Sequence, residues 1–295
     1  MKILQQPLIW PKPYELIPAK EDIRKYLHKM PRQSVEIVFF GSDSWVIPIL
    51  QALEDNFAVS AVVTASDSAI SNYFKGLVLT PDKLDEVFIH ELQTMNPELF
   101  VVASYGKLIP QALLDIPKYG ALNVHPSLLP KYRGASPVPA TILNGDKITG
   151  VTIIKMDEKM DHGPIIATRK ISLSGKEDFI ELINKLFQFG GEILVRIIPD
   201  YIVGRIKPHR QNHAKAVFCH QLKRKSGYFD INNPPSLEIL DRMIRAYYPW
   251  PGVWTHWKGK IVKFLPGGLL QMEGKKVMPL KDFLNGYPDF PIKSI

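Results

Sequence analysis

Short apolar runs alternate with amphipathic segments along the first two-thirds of the chain, and this alternation limits the possible folds more than any other feature. The runs VEIVFF, FAVSAVV, ELFVVAS and GALNVH have the length and composition of buried strands. Segments with helical spacing of apolar residues, such as SWVIPILQALED and KLDEVFIHELQT, lie between them. Strands that alternate with helices predict an α/β fold with a mostly parallel, doubly wound sheet.

The pattern changes after the basic stretch that ends near residue 225. SLEILDRMIRAYYPWPG predicts a helix closed by prolines, and VWTHWKGKIVKFL, GGLLQM and KKVMPL predict short strands separated by glycine turns. This composition is typical of a small β-barrel-like second domain. We therefore expect an N-terminal extension (1–34) with a short helix from Lys20 to Met30, a catalytic domain (35–204), a basic linker (205–225) and a C-terminal domain (226–295).

Cysteine content and hydropathy indicate the cellular setting. Cys219 is the one cysteine of the chain, so no disulfide framework can form within it. No apolar run approaches the ~18–20 residues that span a bilayer, and the N-terminus has no apolar signal core. A reducing, cytoplasmic location fits these features.

The positive charge of the chain lies in its last third. Residues 1–200 hold 21 Lys+Arg against 23 Asp+Glu, a net of −2, whereas residues 201–295 hold 16 against 6, a net of +10. A stretch without acidic residues carries seven of these basic side chains: Arg205, Lys207, Arg210, Lys215, Lys223, Arg224 and Lys225. Such a stretch is either a footprint for a polyanion or a solvated linker that keeps the protein soluble.

Asn123 and His125 end a strand that otherwise has an apolar composition. Because side chains alternate along a strand, both project from the same face. Polar residues at two such positions are unusual in a buried strand. The pair either fixes the proline-rich loop that follows through hydrogen bonds, or supplies polar groups to a site beyond the strand end.

A second loop supplies carboxylates. Asp157, Glu158 and Asp161 follow the predicted strand GVTIIKM. Asn, His and Asp together can stabilise a developing oxyanion and transfer a proton. Ser127 lacks a strand-turn-helix elbow, and Cys219 lies in the basic stretch, so neither is a convincing nucleophile. In an acyl transfer the nucleophile should therefore belong to the substrate, for example an amine.

Other motifs are weaker. GSDSWV after the first strand does not match the glycine fingerprint of a dinucleotide site. The spacing of four potential zinc ligands matches no standard motif: His209, His213, Cys219 and His220. We expect no metal. Five aromatic residues are predicted to be core and corner residues: Tyr247, Tyr248, Trp250, Trp254 and Trp257.

The segments NVHPSLLPKYRGASPV and GVTIIKMDEKMDHGPII together resemble the folate-dependent formyltransferase family. The likeness is specific, since it joins the Asn-x-His-Pro-Ser-Leu-Leu-Pro motif to an aspartate 38 residues beyond the asparagine. VEIVFFGSDSWVIPILQAL and RAYYPWPGVWTHWKGKIVK extend it from about Val35 towards the C-terminus. The resemblance implies a Rossmann-like catalytic domain joined to a C-terminal domain of the oligonucleotide-binding (OB) kind. It also implies formyl transfer from 10-formyltetrahydrofolate to the methionine amino group of initiator tRNA, for translation initiation.

The family's site residues carry over onto matching positions. Its catalytic trio corresponds to Asn123 and His125, which would stabilise the oxyanion, and Asp161, which would position His125 and relay the amine proton. The folate pocket implied by the resemblance consists of Ser127, Leu128, Leu129, Pro130, Tyr105 and Asp157. The predicted tRNA contacts are Lys131, Arg133, Arg205, Lys207, Arg210, Lys223, Arg224 and Lys225.

Two alternatives share this scaffold. One formylates the amine of a sugar nucleotide with the same folate donor, and the other is a catalytically silent RNA-binding protein. The intact trio argues against the second, and the net of +10 in the last third argues against the first. The segment 65–76, ASDSAISNYFKG, lacks the long Gly/Lys-rich loop that tRNA-specific members of the family usually carry there. We expect a monomer that binds no membrane.

Overall fold

A computed structural model of the chain describes residues 35–295. The predicted N-terminal extension and its short helix lie outside the described residues. Within residues 35–295, no helix combines the length and the apolar character needed to cross a membrane.

The described residues divide into two compact units. The sheet unit contains residues 35–133, 150–171 and 184–217, and the C-terminal unit contains residues 134–149, 172–183 and 218–295. This division differs from the predicted boundaries at residues 205 and 226. It also differs at residues 134–149, whose short helix, Pro137–Leu143, packs against the helix Leu237–Tyr247 and so joins the C-terminal unit.

The larger sheet has seven strands in the order β3-β2-β1-β4-β5-β7-β8. The strands up to residue 219 are β1 (Glu36–Phe40), β2 (Ala58–Val63), β3 (Leu77–Leu79), β4 (Leu99–Val102), β5 (Ala121–His125), β6 (Arg133–Gly134), β7 (Ile148–Lys155), β8 (Ile165–Ser172) and β9 (Phe218–Cys219). The four pairings among β1 to β5 are parallel, which confirms the predicted α/β sheet.

Strand β7 departs from this parallel pattern. It pairs antiparallel with β5, with His125 opposite Thr152 and Leu122 opposite Lys155. The loop after β7 therefore begins beside the start of β5, not beside its end. This loop must fold back along β5 to reach the functional positions of that strand.

The described residues contain eight α-helices. They are α1 (Ile47–Asn56), α2 (Ala69–Tyr73), α3 (Glu86–Thr94), α4 (Gln111–Leu114), α5 (Pro137–Leu143), α6 (Phe179–Ile202), α7 (Leu237–Tyr247) and α8 (Leu280–Gly286). Side chains cap several of them: Asp85 accepts a hydrogen bond from the Phe88 amide, and Ser236 accepts one from the Ile239 amide. The quoted segments with helical spacing predicted α1, α3 and α7, whereas the short helices α2, α4 and α8 were not predicted.

A pair of glycines inside α6 allows this helix to lie close to the sheet. A Cβ atom at Gly190 would lie 2.5 Å from the Val124 side chain on β5. One at Gly191 would lie 3.0 Å from the Ala52 side chain on α1. Glycine costs a helix interior about 0.5–1 kcal/mol relative to alanine, so close packing explains its presence here. Val124 lies between the two polar residues of β5, and α6 therefore supports the strand that carries them.

The C-terminal unit contains a four-stranded antiparallel sheet, β10 (Val253–Trp257), β11 (Lys260–Leu265), β12 (Leu269–Met272) and β13 (Met278–Pro279). This confirms the small second β domain. One face is buried, and its core rings include Phe264, Phe283 and Phe290. Among the described strands, β10 and β13 lie at the two edges of this sheet.

The aromatic residues of this unit divide into two groups. Tyr247 and Trp257 are buried, as predicted. Trp250 is 57% exposed and Tyr248 is 37% exposed, which departs from a core position. Both exposed residues belong to the proline turn between α7 and β10, where the chain reverses at the surface.

Candidate active site

Strand β5 presents Asn123 and His125 to one aspartate. The Asn123 amide nitrogen lies 3.3 Å from Asp161 Oδ1, and His125 Nδ1 lies 3.4 Å from the same oxygen. His125 is only 4% exposed. The structure therefore brings together the three residues that the sequence analysis selected as the catalytic trio, and the strand alternation accounts for the shared face of the first two.

Asp161 reaches this position because the loop 156–164, here called the Asp161 loop, folds back on β7. The Lys155 amide donates a hydrogen bond to the Pro164 carbonyl at 2.9 Å. A Cβ atom at Gly163 would lie 1.9 Å from the Lys155 carbonyl oxygen, so only glycine fits there. Asp161 itself has a φ of 48°, in the left-handed region that non-glycine residues rarely adopt.

A second oxygen lies on the opposite side of the His125 ring. His125 Nε2 lies 2.8 Å from the Tyr132 carbonyl oxygen, and Tyr132 also has a left-handed backbone, with φ 63°. Both ring nitrogens thus face oxygen acceptors. The ring is therefore held between an oxygen of the Asp161 loop and an oxygen of the segment that follows β5.

The predicted folate loop is held by a threonine that the sequence analysis missed. The Thr152 hydroxyl donates to the Ser127 carbonyl at 2.7 Å and accepts from the Leu129 amide at 3.2 Å. The sequence did contain a sign of this role, since Thr152 is a polar residue inside the apolar strand GVTIIK. The Ser127 hydroxyl is buried and donates to the Lys131 carbonyl at 2.6 Å. The half-buried residues of the loop are Leu128 and Pro130, whereas Leu129 is buried.

Tyr105 and Asp157, the other two predicted folate contacts, have their own partners in the sheet unit. Tyr105 is 6% exposed and packs edge-on against Phe40, and burial raises the pKa of its hydroxyl to about 12. Its hydroxyl has no hydrogen-bond partner among the described residues. Asp157 Oδ2 lies 2.7 Å from His162 Nδ1. A folate contact at either residue stays a prediction.

Arg133 lies inside the sheet unit, not on its surface. It is 3% exposed, and its guanidinium donates to Gln211 Oε1 at 2.7 and 3.2 Å and to His213 Nδ1 at 2.8 Å. Burial lowers the pKa of Arg133, and the charges of Asp161 and Asp157 oppose that shift. The expectation that Arg133 contacts tRNA is corrected here, because a buried guanidinium with these partners does not meet a phosphate.

The other predicted tRNA contacts lie on the surface. Exposed side chains are found at Lys131, Arg205, Lys207, Arg210, Lys223, Arg224 and Lys225. Arg205 forms an ion pair with Asp200 at 3.0 Å, and the Arg224 guanidinium lies 5.6 Å from the centre of the Trp254 ring. Across residues 35–295, no group of three His, Cys, Asp or Glu side chains has an arrangement that could hold a metal ion.

The geometry around His125 suits transfer of an acyl group to an external nucleophile. Asn123 and His125 provide hydrogen-bond donors that can stabilise a negative oxygen, and Asp161 provides a carboxylate that can take up a proton. The nearest hydroxyl in sequence, that of Ser127, is buried and bonded to the backbone of its own loop. The nucleophile is therefore expected from a substrate.

Comparison with known sequences gives two family matches. Residues 26–198 match the family model described as formyl transferase, and residues 223–267 match its C-terminal domain. The first match begins before residue 35, where the catalytic domain was predicted to begin. The chain is 36% identical to a methionyl-tRNA formyltransferase of Chloroflexus aurantiacus, over 82% of this chain and 83% of the relative. It is 41% identical to one of Roseiflexus castenholzii, over 79% of each.

Solved structures share the fold. A sugar N-formyltransferase from Shewanella sp. has a TM-score of 0.66 at 16% identity, covering 83% of this chain and 100% of that one. A methionyl-tRNA formyltransferase from Clostridium thermocellum has a TM-score of 0.57 at 20% identity, covering 83% and 96%. Identities this low support the fold only. Together with the matches in sequence, the arrangement of Asn123, His125 and Asp161 leads to one conclusion: the chain belongs to the formyltransferase family.

Proposed function

We propose that the protein transfers a formyl group from 10-formyltetrahydrofolate to the amino group of methionine on initiator methionyl-tRNA, for translation initiation. The observation that carries the proposal is the convergence of Asn123 and His125 on one Asp161 oxygen, at 3.3 and 3.4 Å. These are the groups that formyl transfer to an amine requires: donors for the formyl oxygen and a carboxylate for the amine proton.

These three side chains account for the charge and the proton that the amine loses during the transfer. The amine nitrogen bonds to the formyl carbon while the bond from that carbon to the folate nitrogen breaks. Asn123 and His125 stabilise the negative charge on the formyl oxygen. Asp161 orients His125 and accepts the proton that the amine loses, and the departing folate nitrogen takes up a proton in return.

The loop Ser127–Pro130 suits the folate donor. Its backbone is fixed by Thr152, and Leu128 and Pro130 offer half-buried apolar side chains in the loop that directly follows β5. A wall that is rigid before binding reduces the entropy lost on binding a flat ring. Because both side chains are apolar, neither loses a hydrogen bond when such a ring packs against it.

Two observations favour tRNA over a sugar nucleotide as the acceptor. Relatives at 36% and 41% identity over about four-fifths of this chain are named methionyl-tRNA formyltransferases. The net charge of +10 in residues 201–295, from 16 Lys+Arg against 6 Asp+Glu, suits a partner with many phosphates. A sugar nucleotide with two phosphates does not require it.

The basic linker is the proposed principal tRNA contact. The segment 65–76 contains one lysine and one aspartate, and it forms the short helix α2 (Ala69–Tyr73). It therefore brings no net charge to a tRNA acceptor arm. The stretch from Arg205 to Lys225 carries seven exposed basic residues and no acidic one, so its positive charge is not offset locally.

A direct assay tests this function. Purified protein is given 10-formyltetrahydrofolate and either initiator methionyl-tRNA or an amino-sugar nucleotide, with Asn123→Ala as the inactive control. We expect formylmethionyl-tRNA from the wild type and no formylated sugar. Formylation of the sugar alone would overturn the acceptor, and formylation of neither would overturn the proposed activity.

A further inference from the structure

Two separate loops hold the ring of His125 from opposite sides. The Asp161 loop (156–164) presents a carboxylate to Nδ1, and the segment after β5 presents the Tyr132 carbonyl to Nε2. Asp161 and Tyr132 both have left-handed backbones, with φ of 48° and 63°. Such conformations are unfavourable for non-glycine residues and persist only where the surroundings enforce them.

Gln211 and Arg133 connect these two loops. Arg133 directly follows Tyr132 in the chain, and its guanidinium donates two hydrogen bonds to Gln211 Oε1. Gln211 Nε2 donates to the Asp161 carbonyl at 2.9 Å and to the Gly163 carbonyl at 2.7 Å. Hydrogen bonds from Asp161 through Gln211 to Arg133, and the peptide bond from Arg133 to Tyr132, therefore connect the two neighbours of the imidazole.

The hydrogen-bonding capacity of Gln211 leaves one possible orientation for its amide. Its two amide hydrogens meet two carbonyls, and its oxygen meets two guanidinium hydrogens. A flipped amide would place its oxygen against both carbonyls and its N–H groups against the guanidinium. Gln211 is 5% exposed, so water does not compensate for a lost partner.

We propose that Gln211, with Arg133 as its partner, is a positioning residue for formyl transfer that holds Asp161 and Tyr132 at the distances His125 needs. It acts through the Asp161 backbone, whose carbonyl accepts a hydrogen bond from Gln211 Nε2. The inference rests on the proposed function only in that its catalytic readout is formylation. Gln211 lies in the stretch 205–225, between the exposed residues Arg210 and Lys215, so a segment predicted as a basic linker also supports the active site.

The substitution Gln211→Glu separates the two halves of this contact. A glutamate still accepts from Arg133 but cannot donate to the Asp161 and Gly163 carbonyls. A displacement of about 1 Å at a catalytic group can cost about 100-fold in rate. We expect kcat for methionyl-tRNA formylation to fall about 10- to 100-fold, with both KM values within about threefold of wild type. Gln93→Glu, at an exposed position of α3, is the matched control and should retain wild-type kcat.

A double-mutant cycle distinguishes positioning from a general loss of structure. If Gln211 acts through Asp161, then Gln211→Glu should reduce kcat by less than about threefold in an Asp161→Asn background. Wild-type kcat in Gln211→Glu would overturn the inference. So would an equal loss in both backgrounds, because a merely structural defect is additive.

A measurement without substrate keeps the inference testable if the acceptor assignment fails. Side-chain ¹H–¹⁵N spectra of the eight histidines, with His125 assigned by His125→Asn, report the ring environment directly. We expect Gln211→Glu to shift the His125 ring signals and Gln93→Glu to leave them unchanged. Unshifted His125 signals would show that Gln211 does not position its neighbours, whatever substrate the protein uses.

Discussion

Arg133 and Arg210 have opposite surroundings, although the sequence predicts a tRNA contact for both. Arg133 is 3% exposed and bonded to Gln211 and His213, whereas Arg210 is exposed. Arg133 belongs to the proposed catalytic network, defined here as Asn123, His125, Asp161, Arg133 and Gln211. Arg210 belongs to the exposed basic residues of the stretch 205–225.

Residue type alone therefore does not decide whether an arginine supports the active site or binds tRNA. In the catalytic network the polar side chains are buried or half-buried, and hydrogen bonds fix their geometry. In the basic stretch the charges stay hydrated, which suits long-range attraction to phosphates and requires little fixed geometry. Changes in the first region should therefore affect kcat or stability, and changes in the second should affect tRNA binding.

The largest effect is expected from Asp161→Asn. An amide retains the size of the side chain but neither carries the negative charge nor accepts a proton, so kcat should fall about 10²–10⁴-fold. The KM for tRNA should stay near that of the wild type, because the basic stretch is unchanged. Steady-state formylation kinetics measure both, with Glu158→Gln, at an exposed position of the same loop, as the control. A near-normal kcat would remove Asp161 from the mechanism.

The two arginines themselves give the next test. Arg133→Met leaves Gln211 Oε1 and His213 Nδ1 without their guanidinium donor, and hydrogen bonds to charged groups contribute about 1.5–3 kcal/mol each. We expect the free energy of unfolding to fall by about 2–3 kcal/mol in urea titrations. Arg210→Met should change it by less than about 0.5 kcal/mol. Equal losses would contradict the distinction between the two sites.

Charge reversal tests the basic stretch. The triple variant Lys223→Glu, Arg224→Glu, Lys225→Glu should raise the KM for tRNA about tenfold and make its dependence on salt less steep, because fewer phosphates are neutralised. The KM for the folate should not change. A control variant reverses three exposed lysines elsewhere, namely Lys83, Lys170 and Lys176. An unchanged salt dependence would identify 223–225 as a solvated linker.

The smallest effect is expected at His213, an exposed residue that contacts the buried Arg133. Partial desolvation, then the charges of His162, Arg133 and Arg210, lower the pKa of His213 below 6.5, and Asp157 opposes this. The unfolded chain thus binds a proton more readily than the native one, and stability should decline as pH falls from about 6.5. In His213→Gln the decline in Tm between pH 7.5 and 5.5 should be smaller than in the wild type. An identical decline would exclude His213 as its source.

Much of the site was predictable because its signals are local. Asn123 and His125 share a face by the period of a strand, and their polarity contrasts with an apolar run. Asp161 was one of three carboxylates in its loop, and only the family resemblance singled it out. Its contact with β5 depends on the antiparallel pairing of β7 and on the close approach at Gly163, which strand patterns do not encode.

The supporting residues carry no such local signal. Gln211 is a polar residue in a polar, basic stretch, and nothing in its neighbourhood indicates that it is buried against the Asp161 loop. Arg133 was misassigned for the same reason, since its charge predicts a surface position. Gly190 and Gly191 lie inside α6 because Val124 and Ala52, which are distant in sequence, approach that helix closely.

Formylation rates at saturating methionyl-tRNA test most directly whether the catalytic network and the basic stretch have separate roles. The triple variant at 223–225 should reach the wild-type rate once tRNA saturates, because its catalytic network is intact. Asp161→Asn should stay slow at every tRNA concentration, because its defect lies in the chemical step. A triple variant that stays slow at saturation, or an Asp161→Asn enzyme that recovers, would contradict the account.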